Sequence, residues 1–75
     1  MAGVTTTIDR EMSRAKSALA SSPIYDLRIL HVDRDGDNLM ISGRVKTFYH
    51  SQLAQEAVRA VVESSVVVIN SIDVD

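Results

Sequence analysis

The segment from Leu27 to Val45, LRILHVDRDGDNLMISGRV, holds two alternating apolar runs pinched at Asp35-Gly36, with a glycine set inside the second run. Side chains on a strand alternate faces with period two, so Val32, Leu39, Ile41, Gly43 and Val45 can line one face of a β-hairpin. The pattern predicts strand one over 25–33, a loop at Asp35-Gly36-Asp37-Asn38 and strand two over 39–47. Glycine and asparagine take positive φ at low cost, which suits them to that loop.

Helical spacing flanks the hairpin. After Met1–Gly3, read as frayed, Thr6 with Asp9 three residues on predicts a capping box. Ile8, Met12, Ala15 and Leu19 then form one stripe of a 3.6-residue helix, with Arg10, Ser13, Arg14 and Ser17 facing away. Ser21-Ser22-Pro23 ends it, because the residue before a proline avoids helical geometry. Thr47 can cap a second helix over 48–63, whose apolar stripe is Leu53, Ala54, Ala57, Val58, Val61 and Val62. Ser64-Ser65 breaks that helix, and the β-branched run Val66–Val74 predicts a third strand. The expected fold is α+β: a single domain over 1–75, core roughly 6–74, forming an αββαβ two-layer sandwich with two helices on one face of a three-stranded sheet.

Two helices cover only one face of such a sheet, yet the third strand is apolar at Val66 and Val68 and also at Val67 and Ile69. If Leu30 and Val32 point inward with Leu39 and Ile41, then Leu27, Ile29, Met40, Val67 and Ile69 gather on the open side. A contiguous apolar patch on a small domain marks a binding surface. This predicts an adaptor that takes a protein partner, or a homodimer formed through the open face.

Composition narrows the function classes. A domain of 75 residues buries only about 60% of the surface its unfolded chain exposes. The absence of cysteine excludes disulfides and thiol catalysis and mildly favours the cytosol. Eight basic against ten acidic residues, formal charge −2, argue against nucleic-acid binding by bulk electrostatics. MAGVTTTIDREMSR lacks the apolar core of a signal peptide, and no run approaches the roughly 20 residues of a membrane span. The expected compartment is therefore cytoplasmic for the chain as it stands, and periplasmic or envelope-associated if a signal has been trimmed.

No catalytic constellation or cofactor motif is evident, and the serines carry no nucleophile elbow or triad pattern. Asp33, Asp35 and Asp37 alternate around Gly36, but a calcium loop places its glycine sixth and a glutamate twelfth, where Arg44 stands. They are read as a turn with solvated carboxylates. His31 and His50 have no second ligand at metal spacing and are read as surface residues. Gly43, mid-strand, is read as admitting close packing of the second helix. Phe48 and Tyr49 follow directly on Arg44 and Lys46, and rings beside cations suit an interfacial membrane contact. The same pair also suits a helix start tucked against a sheet edge.

The pattern over 12–74 resembles the BON domain, the αββαβ module named for bacterial osmotic-shock and nodulation proteins. The resemblance rests on the turn glycine Gly36 followed by Ile41-Ser42-Gly43-Arg44-Val45, on Ala54 and Ala57 in the second helix, and on Val68, Asn70, Ile72 and Val74 in the closing strand. Two departures stand out: the loop after Gly36 is one residue longer, and Ser64 replaces a glycine before the third strand. The resemblance implies a non-enzymatic module, often periplasmic or envelope-associated, that binds phospholipid membranes or partner proteins. On that reading Arg44, Lys46, Phe48 and Tyr49 are the candidate lipid or partner contacts.

Overall fold

The computed structural model describes the backbone of residues 3–75 and the side chains of residues 8–75. The elements are α1 (Gly3–Ala20), α2 (Tyr25–Arg28), β1 (His31–Asp35), β2 (Asn38–Val45), α3 (Phe48–Arg59) and β3 (Val68–Val74). The strands form one mixed sheet in the order β1-β2-β3, with β1 antiparallel and β3 parallel to the central β2. The helices lie on one face of the sheet, giving the expected α+β sandwich with one added helical turn.

Register explains which side chains are buried. Val32 pairs with Ile41, which pairs with Asn70, and Arg34 pairs with Leu39, which pairs with Val68. Paired residues share a face, so Val32, Leu39, Ile41, Val45, Val68 and Ile72 look toward the helices. There they meet Ile8, Ala15 and Leu19 of α1, Leu27 of α2, and Ala54 and Val58 of α3. Each fully buried Leu, Ile or Val of this set contributes about 1.5–3 kcal/mol relative to exposure. Among them sits one carboxylate the apolar stripe did not show. Glu11 is 2% exposed, and its Oε1 accepts the Glu63 N–H at 3.1 Å, tying α1 to the turn before β3.

Several boundaries depart from the sequence expectation. Because α1 already runs from Gly3, Thr6 stands inside the helix and is not its cap; its side chain, like Met1 and Ala2, lies outside the described residues. Residues 25–28 form a helical turn instead of strand. Ser22 Oγ accepts the Ile24 N–H at 3.1 Å and the Ile24 carbonyl accepts from Leu27 at 3.1 Å, which closes the turn. Leu27 and Leu30 are three apart, a spacing that also serves one side of a helical turn, and Leu27 is buried. The hairpin loop is only Gly36-Asp37, since Asp35 pairs with Asn38. Gly36 has φ 64 and Asp37 a negative φ, the type II′ pattern that matches strand twist. α3 stops at Arg59, leaving Val61 exposed, and β3 starts two residues later than expected. Among the described residues no non-glycine has positive φ, so Ser64 fits the joint before β3 without strain.

The open face also differs. It carries His31, Asp33, Ser42, Arg44, Ser71 and Asp73, with Met40 and Ile69 as its only apolar pair within the ladder. Leu27 is in the core and Ile29 is the C-cap of α2 on the helical layer, whereas Val67, whose carbonyl accepts the Leu39 N–H just before β3, alternates onto the face of Ile69 and Met40. The five residues therefore do not gather into one apolar patch.

Candidate functional site

α2 and the first turn of α3 meet at one end of the molecule. The junction is made by Asp26, whose carboxylate accepts the Lys46 backbone N–H at 2.8 Å and faces His50 Nδ1 at 3.2 Å through the same oxygen. Thr47 precedes α3 in extended conformation and its hydroxyl accepts the His50 N–H at 3.0 Å, the N-cap its position predicted. The Asp26 carboxyl is held below its ordinary value of 3.8, chiefly by the Lys46 N–H, against the opposing effect of desolvation. The hydrogen bond from His50 and the charges of Lys46 and His50 lower it further.

This joint positions aromatic rings outward. The chain has two tyrosines, one phenylalanine and no tryptophan, and all three rings are exposed: Tyr25 63%, Phe48 65% and Tyr49 65%. Tyr25 is the neighbour of Asp26, and Phe48 and Tyr49 lie between the two groups Asp26 binds, so one hydrogen-bonded joint holds all three. Ile29 at the end of α2 adds exposed aliphatic surface. The Arg28 guanidinium lies 5.6 Å from the Tyr25 ring centroid, and Lys46 is exposed beside Thr47.

Of the four residues singled out from the sequence, Lys46, Phe48 and Tyr49 belong to this end. Arg44 does not: it points from the open sheet face and pairs with Asp75 at 3.6 Å, next to its cross-strand neighbour Asp73. Tyr25, Asp26 and Arg28 are the additions. Their signal was an acidic residue in the first turn after Ser22-Pro23, a helix-start pattern hidden by reading the segment as strand. His50 is half-buried and partnered instead of lying free on the surface. Gly43 also has a different neighbour: an added Cβ would meet Leu30, not α3.

Among the described residues no group of three His, Asp or Glu side chains comes together as a metal site needs. No helix among them is long and apolar enough to cross a membrane. Against known proteins, the chain matches no family model, no curated protein and no solved structure.

Proposed function

We propose that the chain is a non-enzymatic interaction module that docks peripherally on anionic phospholipid through Tyr25, Phe48 and Tyr49, flanked by Arg28 and Lys46. The observation that carries this is the exposure of every aromatic side chain at one braced end. Small domains ordinarily spend aromatic rings on the core, where each buries 150–250 Å². Here aliphatic residues fill the core and the rings are left outside. Rings favour headgroup depth, and each nearby cation adds about 1 kcal/mol on an anionic surface. Arg28 and Lys46 together would supply about 2 kcal/mol, roughly a 30-fold preference over neutral lipid at low salt. A BON-like assignment belongs to the same proposal and is supported by the element order and by Gly43 in β2.

The test is co-sedimentation with vesicles of phosphatidylglycerol and phosphatidylcholine against pure phosphatidylcholine, at low and at physiological salt. Binding should require the anionic lipid and weaken with salt. Phe48→Ser with Tyr49→Ser, folded by circular dichroism, should abolish it. Absence of wild-type binding to anionic vesicles at low salt would refute the proposal.

A further inference from the structure

The free edge of β3 is occupied by the chain's own side chain. Leu39 N donates to the Val67 carbonyl at 2.9 Å and Asp75 N donates to the Val45 carbonyl at 3.0 Å, so odd-numbered residues of this stretch turn their backbone groups toward β2. Val68, Asn70, Ile72 and Val74 then turn theirs to the outer edge. The Ile72 N–H nevertheless has a partner: it donates to Asn70 Oδ1 at 3.0 Å. Asn70 Nδ2 in turn donates to Ser51 Oγ and to Gln55 Oε1, each at 3.1 Å, which fastens the amide to α3. One side chain thus uses its acceptor on the strand edge and both donors on the helix.

We propose that Asn70 is a latch that closes the β3 edge against a second copy of this chain. The copy would pair antiparallel about Ser71, because that register suits the sequence on both sides of a two-fold axis. It sets Val68 against Val74, Ile69 against Asp73 and Asn70 against Ile72 of the other copy, with no charge facing a charge. The Asn70–Ile72 pairs, on either side of the axis, are the central hydrogen-bonded pairs of that ladder. The latch takes the N–H they need. The opposite edge is guarded differently: β1 is five residues long, and pairing about its centre would oppose Asp33 to Asp33. The inference is independent of lipid binding.

In the wild type, the Ile72 amide should exchange at least tenfold more slowly than the Val68 and Val74 amides on the same edge. Equal rates would overturn the latch. Asn70→Val and Asn70→Thr keep a strand-forming residue there; each should sediment as a dimer at concentrations where the wild type is a monomer. Adding Ser71→Lys, which opposes two lysines at the axis, should restore the monomer. A folded Asn70 variant that stays monomeric, a wild type that already dimerises equally well, or a dimer indifferent to Ser71→Lys would overturn the proposal. If both Asn70 variants fail to fold, the wild-type exchange rates decide.

Discussion

Replacing Gly43 by alanine probes two effects the structure separates. Gly43 has φ +128, a conformation L-residues rarely adopt, and holding a non-glycine in such a region costs about 1–3 kcal/mol. The new Cβ would also lie 2.8 Å from Leu30 Cδ2 and 3.6 Å from Leu30 Cα. The second distance is ordinary contact. The first is too short, but it involves the tip of a side chain that can turn away, so it should add no more than about 1 kcal/mol, the low end for overpacking. The total, about 1–4 kcal/mol, corresponds to a melting point lower by at least about 4 °C for a domain of this size. Thermal and urea unfolding of Gly43→Ala, Leu30→Ala and the double variant measure it. In the Leu30→Ala background the alanine should cost less, by the clash alone, with most of the penalty remaining. A Gly43→Ala melting point within about 2 °C of wild type would refute the reasoning, and full recovery in the double variant would show that φ contributes nothing.

The Asp26 carboxyl has a folded-state pKa below its ordinary value, so its contribution is present above about pH 4 and is lost as pH falls through the lowered value. Asp26→Asn should therefore flatten the fall in melting temperature between pH 5 and pH 3, measured by calorimetry; a slope equal to wild type would contradict the assignment. Thr47→Ala removes the cap on the His50 N–H and should cost about 1 kcal/mol, read as a lower urea midpoint at unchanged slope. No shift in midpoint would mean that water replaces the hydroxyl without loss.

The elements that were legible in the sequence are those whose local pattern and tertiary role agree. The stripe Ile8, Met12, Ala15, Leu19 faces the core, and Thr47 caps α3. The facing of Val32, Leu39, Ile41 and Val45 follows from strict alternation over a two-residue turn. Residues 25–30 were ambiguous because Leu27, Ile29 and Leu30 satisfy both alternation and i,i+3 spacing. What decides between them is the Ser22 hydroxyl on Ile24 N and the burial of Asp26 against Lys46 N, contacts that span turn and domain and leave no periodic trace. The same ambiguity hides half of the candidate site, since Tyr25 joins Phe48 and Tyr49 only when Asp26 turns inward. Glu11 was invisible for a related reason: its partner, Glu63 N, lies 52 residues along the chain, in the turn before β3.

The mixed sheet has a kinetic corollary. β1 meets β2 across the two-residue turn Gly36-Asp37, whereas β3 reaches β2 only after residues 46–67 have been spanned. Closure entropy rises by about 0.6 kcal/mol per doubling of a flexible loop, so the second pairing begins roughly 2 kcal/mol behind the first. A preformed α3 changes that search. Its 12 residues become a rod about 18 Å long, and only the short flanking pieces remain to be ordered. Nucleation of α3, helped by its cap, thus shortens the search for the last strand, while the pairing of β1 with β2 across its two-residue turn carries no such dependence.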